Sequence, residues 1–264
     1  MIEAQNLHVV FNPGTAIETR ALRGLDLTLP EGQFVAVIGS NGSGKSTLLN
    51  VLAGEVIPDS GRALIGGTDV THWPTPKRAG LVARVFQDPM AGTCEGLSIE
   101  ENLALARSRG RRRGLGLAVR RELREEFREK IASLGLGLEG RLTDAMGLLS
   151  GGQRQALSLV MATLNPMKVL LLDEHTAALD PKTAAFVMGL TETLVRGQGL
   201  TTLMVTHSMR QALDYGDRTV MLHEGEVVLD VAGDDRKGMK VADLLHMFET
   251  VRGEEIADDA LILG

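Results

Sequence analysis

Residues 33–52 read Gln33-Phe34-Val35-Ala36-Val37-Ile38-Gly39-Ser40-Asn41-Gly42-Ser43-Gly44-Lys45-Ser46-Thr47-Leu48-Leu49-Asn50-Val51-Leu52. The nearly unbroken apolar run at 33–38 predicts a strand buried on both faces, as in a parallel sheet. Residues 46–52 predict a helix. Between them, Gly39 to Ser46 matches G-x-x-x-x-G-K-[ST] in the strand–turn–helix setting this pattern requires. Glycines let backbone amides turn inward as an anion nest, and the helix N-terminus adds partial positive charge. Lys45 is placed to reach the β- and γ-phosphates of a nucleotide, and the Ser46 hydroxyl to ligate Mg2+. Ser40, Asn41, Gly42, Ser43, Gly44 and Thr47 complete the expected phosphate cradle.

Working outward, similar apolar runs at 168–172 and 200–206 alternate with helical segments near 45–53, 152–164 and 182–196. That alternation predicts an α/β fold with a parallel sheet. Residues 1–30 read as strands, with Leu25, Leu27 and Leu29 alternating with Asp26 and Thr28. Residues 219–223 and 226–229 read as a hairpin about Glu224-Gly225. Between 98 and 147 strand-like runs vanish and charges three or four apart become dense, which predicts a solvent-exposed helical insert. The tail after about residue 250 is acidic.

The strand at 168–172 ends in Asp173-Glu174, and in open α/β sheets ligands bind at the carboxyl ends of strands. Asp173 is a candidate to hold Mg2+ through water, and Glu174 to orient or deprotonate an attacking water. The pair suits nucleotide hydrolysis, which needs aligned water and neutralised phosphate charge more than covalent chemistry.

Composition narrows the class. The 264 residues are 44% hydrophobic and 23% charged, so the chain is not disordered. A net charge of −6 is not the footprint of a general nucleic-acid binder, and no nucleic-acid partner is expected. The lone Cys94 has no internal partner, which points to a reducing compartment. Met1–Asn6 lacks a basic segment leading into an apolar stretch, so no secretory signal is expected. Charge-free stretches such as 32–44 and 155–167 fall short of the ~18 apolar residues of a spanning helix.

A phosphate loop alone could belong to a kinase, GTPase, helicase or motor. The discriminating segment is Leu149-Ser150-Gly151-Gly152-Gln153-Arg154-Gln155, a second glycine-containing turn that opens a helix. It resembles the Leu-Ser-Gly-Gly-Gln signature of the ATP-binding-cassette family, and the resemblance covers roughly residues 1–230. The family's other elements follow in order. Gln87 matches the glutamine that meets Mg2+ and the attacking water. Ala178-Leu179-Asp180 matches the D-loop. His207 matches the switch histidine that contacts the γ-phosphate. Phe11 matches the aromatic that stacks on adenine, although residues 12–20 lengthen its loop and shift the register.

The resemblance implies a P-loop core of RecA type with a parallel sheet, an N-terminal antiparallel β-subdomain and an inserted helical subdomain. It implies a single cassette over 1–264: a nucleotide-binding core of 1–97 and 148–230, helices at 98–147, and a C-terminal helix and tail at 231–264. It also implies ATP with Mg2+ and a head-to-tail dimer of two copies, in which Ser150, Gly151, Gly152, Gln153 and Asp180 of one face the phosphate loop of the other. Chromosome-type and translation-factor ATPases share these motifs. The interval from Gln87 to Ser150 is too short for the former's coiled coil, and a single cassette disfavours the latter, leaving a transporter subunit. Such a subunit would sit peripherally on the cytoplasmic side of the inner membrane and power a separate permease. Residues 88–99 are the candidate permease contact, and the basic run 107–113 is either a solvated link or a lipid contact.

Two departures from the family pattern stand out. His175 replaces a common Pro after the glutamate, and Ala156–Thr163 replaces the usual Arg-Val-Ala-Ile-Ala-Arg-Ala. Together they resemble a branch of bacterial importers of tryptophan- or tyrosine-type solutes, which work with a substrate-binding protein. A lipid or lipoprotein exporter and a soluble non-transport ATPase are the alternatives.

Overall fold

The two faces of the strand at Phe34–Ile38 set the architecture. In the computed structural model, which describes residues 1–110 and 118–252, Val35 and Val37 enter one apolar core and Phe34, Ala36 and Ile38 another. A strand covered on both sides cannot alternate polar and apolar residues, hence the unbroken run.

The chain runs β1 (Ile2–Phe11), β2 (Thr19–Leu29), β3 (Phe34–Ile38), α1 (Lys45–Ala53), β4 (Ser60–Ile65), β5 (Thr68–Asp69), α2 (Thr75–Arg78) and β6 (Val82–Val85). Then come α3 (Ile99–Arg107), α4 (Arg121–Ala132), α5 (Gly151–Thr163), β7 (Val169–Asp173), α6 (Pro181–Gln198) and β8 (Thr201–Val205). The last elements are α7 (Met209–Asp214), β9 (Arg218–His223), β10 (Glu226–Ala232), α8 (Gly233–Arg236) and α9 (Val241–Arg252). A four-stranded antiparallel sheet has the order β2-β1-β4-β5, and a six-stranded sheet the order β10-β9-β3-β8-β7-β6. The larger sheet is parallel from β9 to β6, with β10 antiparallel on its edge.

Helix α1 lies in the core that joins the two sheets: Leu48, Leu49, Val51 and Leu52 pack with Leu7, Leu25, Val35, Leu171 and Val205. Its C-terminus is clamped by Arg78, which is wholly buried and donates to the carbonyls of Val51, Leu52, Val70 and Thr71. A guanidinium there meets the last, otherwise unpaired carbonyls and the negative end of the helix dipole. The opposite face of the large sheet is covered by α5, α6, α7 and α9.

The segment after β6 has its own core, in which Ile99, Leu103, Phe127, Ile131, Leu138 and Met146 pack with Leu157, Val160 and Leu164 of α5 and its C-terminal end. A bridge between Ser98 and Ala145 closes its base. Helix α5 therefore serves two cores at once, with Leu159 and Ala162 facing the sheet. That explains Ala156–Thr163: a helix enclosed all round reads apolar all round, and its Ser158 and Thr163 hydroxyls bond to carbonyls one turn back.

Arg107 and Arg109 of the basic run are half-buried and bonded within the chain. They donate to Leu164 O, Asn165 Oδ1 and Ala162 O at the C-terminal end of α5. Arg111–Arg113 of that run and the acidic tail from 253 lie outside the described residues.

Candidate active site

Three loops meet at the carboxyl edge of the large sheet because of strand register. Asp173 pairs with Val205 between β7 and β8, and Val37 with Val205 between β3 and β8. The residues that follow these strands, Gly39–Ser46, Glu174 and His207, are thereby neighbours. Asn41–Thr47, Glu174 and His207 line one cleft of about 240 Å³ together with Phe11 from the end of β1.

The phosphate loop has little room for side chains. A Cβ on Gly39 would sit 2.2 Å from Leu222 O, and one on Gly44 2.6 Å from Ala21 O. Both adopt positive φ, 148° and 103°, where glycine has no steric penalty. Gly44 is the residue before α1, so the free amides of the first turn open onto the cleft. Lys45 is buried and donates from Nζ to Gly39 O at 2.6 Å and Ser40 O at 2.9 Å. Burial lowers its pKa below the usual lysine value, against the opposing pull of Glu174 and Asp173.

Glu174 stands in the left-handed region at φ 46°, an uncommon conformation for a residue with a Cβ. Its backbone is held there by donation to Val205 O at 3.0 Å. Its Oε1 lies 2.6 Å from Nε2 of His207, an imidazole donor meeting a carboxylate. Burial raises the Glu174 pKa above the usual carboxylate value, against His207 and Lys45, which favour the charged form. A carboxylate of raised pKa beside a hydrogen-bonding imidazole is the equipment of a general base.

His175 points away from this cleft. It is fully buried and neutral, its pKa pushed down to about 4 by desolvation. Its Nε2 lies 3.0 Å from Thr191 Oγ1 on α6. That hydroxyl donates to Val187 O, so the imidazole supplies the proton from Nε2.

Asp173 has a partner that the sequence reading did not name. Its Oδ2 forms a 2.6 Å ion pair with Arg84 of β6, a residue outside every motif. Gln87 is exposed and does not line the cleft, because it leaves the sheet from the outermost strand. Among the described residues no group of three or more His, Cys, Asp or Glu gathers as a metal cluster. Ser46, Asp173 and Gln87 offer oxygen atoms, the donor type a hard dication takes alongside water and phosphate.

The signature residues stand apart from the cleft. Ser150 caps α5 in a reciprocal box with Gln153, the two bonds being 3.3 and 3.2 Å. Gly152 packs against α6 so closely that a Cβ would lie 2.1 Å from Thr183 Cγ2. Asp180 caps α6, accepting from Thr183 N at 3.1 Å. Among the described residues that line the cleft, none comes from 150–153 or from 180.

The model of the ABC transporter family matches residues 22–177, more than half of the chain. The chain belongs to the ABC transporter family. It is similar to the tyrosine transport ATP-binding protein of Clostridioides difficile, 43% identical, with 94% of this chain and 99% of that protein covered. It is also similar to the aliphatic sulfonates import ATP-binding protein SsuB of Escherichia coli, at 36% identity over 82% of this chain and 77% of that one. Among solved structures it resembles the ATP-binding cassette MJ0796, seen as a dimer in a post-hydrolysis state bound to ADP and Pi. There the TM-score is 0.75 and the identity 29%, over 88% of this chain and 98% of that one. The chain is an ATP-binding subunit of an ABC transporter and an ATPase. No helix among its described residues is long and apolar enough to cross a membrane.

Sequence reasoning missed Arg84 and Arg78. Each is an arginine inside or beside an otherwise apolar stretch, which is the signal that flags a buried, multiply bonded guanidinium.

Proposed function

We propose that this subunit hydrolyses ATP between two head-to-tail copies of itself and thereby powers import of an aromatic amino acid through a separate permease. The observation that carries the hydrolytic reading is the 2.6 Å contact of Glu174 and His207 in one cleft with Lys45 and the phosphate loop. In this reading Lys45 and the first-turn amides of α1 hold the β- and γ-phosphates, and Phe11 stacks on adenine. Glu174 takes the proton of the attacking water, while His207 orients that carboxylate and contacts the γ-phosphate. Ser46, Asp173 and Gln87 would hold Mg2+, which supplies neutralisation of phosphate charge when bound.

The outward tip of α5 supports the dimer. A helix N-terminus favours anions, Ser150 and Gly151 at this one are exposed, and within one chain it meets no phosphate loop. In a second copy, Ser150, Gly151, Gly152 and Gln153 would close over the γ-phosphate, with Asp180 beside them. Bonds that form with ATP and break on hydrolysis are what a nucleotide switch requires.

The relative in Clostridioides difficile supports tyrosine-type cargo, delivered through a substrate-binding protein. The groove of about 370 Å³ formed by residues 88–94, α3 and α5 supports a permease seat. Asn102 fixes its rim, bonding to both the amide and the carbonyl of Cys94. A peripheral place on the cytoplasmic face of the inner membrane follows from that seat. The test is affinity purification of the tagged chain from gently solubilised membranes. A polytopic membrane protein in near-equal amount, whose co-expression gives tyrosine uptake, is expected. Recovery with soluble partners alone overturns the transport reading and leaves the ATPase intact.

A further inference from the structure

Arg84 lies in β6 on the side facing α1, with its neighbour Val82 in the core that joins the two sheets. Its side chain is 10% exposed. One guanidinium reaches four groups. It bonds Asn50 Oδ1 on α1 at 2.8 Å, Glu55 Oε2 just past that helix at 2.7 Å, and Asp173 Oδ2 at 2.6 Å. It also lies over the ring of Phe86 at 4.9 Å, next to Gln87. The helix that opens at the phosphate loop, the acidic end of β7 and the start of the glutamine loop therefore share one cation.

We infer that Arg84 is a positioning residue that holds Asp173 in place for a divalent cation's water shell and keeps it from pairing with Lys45. The inference rests on the reading of Asp173 as a cation-holding residue. The physical case is one of competing cations. Asp173 and Lys45 already feel each other's charge, and both stand at the carboxyl edge of the sheet. A half-buried carboxylate takes the nearest available cation. If Asp173 turned to Lys45, the site would lose its phosphate lysine and its cation carboxylate together. Arg84 prevents this because it is tethered on two further sides, by Asn50 and Glu55, and a planar fork bound at several points does not swing. A lysine at 84 could meet one of these partners well but not all of them.

The test measures binding, not turnover. The full chain carries a fluorescent ADP analogue, and Mg2+ is titrated in; the analogue's affinity is also measured in EDTA. For Arg84→Met we expect the Mg2+ midpoint to rise about tenfold, the range of supporting residues around metal sites. The EDTA affinity should also fall, as Lys45 becomes engaged. Arg84→Lys, which keeps charge and stem and is the safer folder, should shift the midpoint in the same direction by about threefold. A midpoint unchanged in both variants, alongside a raised midpoint in Asp173→Asn, overturns the role of Arg84. A midpoint unchanged in Asp173→Asn overturns the cation reading of Asp173 itself, and the inference with it.

Discussion

The phosphate loop and the tip of α5 are built from the same part, a glycine-containing turn that opens a helix, and they end up in opposite situations. At the loop, Asn41–Thr47 is faced by Glu174, His207 and Phe11, all delivered by the same chain. At the tip, nothing of the kind among the described residues faces Ser150–Gln153, and its glycines instead admit Leu179, just before α6, and Thr183 in its first turn. The difference teaches that an anion-binding turn becomes half of a catalytic site only where strand ends converge. In the proposed dimer, the second turn finds its partner in another copy.

The sharpest break in that comparison comes from Glu174→Gln. It should lower ATP hydrolysis about a thousandfold while ATP still binds, so that light scattering with ATP shows a dimer. A strictly monomeric protein with ATP would mean that the tip of α5 does not complete the site. Lys45→Ala acts on the loop alone and should weaken ATP binding about a hundredfold by calorimetry; unchanged affinity would remove Lys45 from the phosphate site.

Gly152→Ala acts on the tip alone. The new methyl meets Thr183 Cγ2 at 2.1 Å, so Thr183 must turn or α5 and α6 must part. The ATP-dependent dimer should be lost and stability should fall by about 1–3 kcal/mol, with ADP affinity of the single chain unchanged. A dimer that persists would show that the close approach of the two helices is dispensable.

The narrowest effect, confined to acid pH, concerns His175. Its folded pKa of about 4 lies below the unfolded value of 6.5, so the unfolded chain binds the extra proton between those values. His175 therefore lowers stability as pH falls through that window, by up to about 3 kcal/mol, and contributes no pH dependence above it. Urea midpoints at pH 5 and pH 7 should differ less in His175→Gln than in the parent; equal differences would contradict the burial argument.

The strands and helices that carry the site were legible because each depends on local spacing. The run at 33–38, the acid pair ending 168–172 and the helix after Ser150 are written within single segments. Strand β4 and the two-residue β5 were not foreseen, since Ser60–Ile65 begins with Ser60, Gly61 and Arg62 and shows little period of its own. The partners of the basic run were not legible for a related reason: Arg107 and Arg109 find carbonyls at the end of α5 that are more than fifty positions away in the chain. Gln87, expected at the nucleotide, follows the outermost strand β6 and is exposed, outside the lining of the cleft.

By itself, the sequence determined the residue types that the proposed chemistry needs: glycines where amides must converge, Lys45 as the candidate for phosphate, Glu174 as the candidate for a proton, Ser150 for a helix end. Tertiary structure alone decided which of them meet. The pairing of Asp173 with Val205 brings Glu174 to His207. The pairing of Arg84 with Leu171 on β7 sets Arg84 beside Asp173. The reason is physical: a motif is fixed by bonds along one backbone, whereas a contact between strands is fixed by register, which the buried faces of the whole sheet choose together.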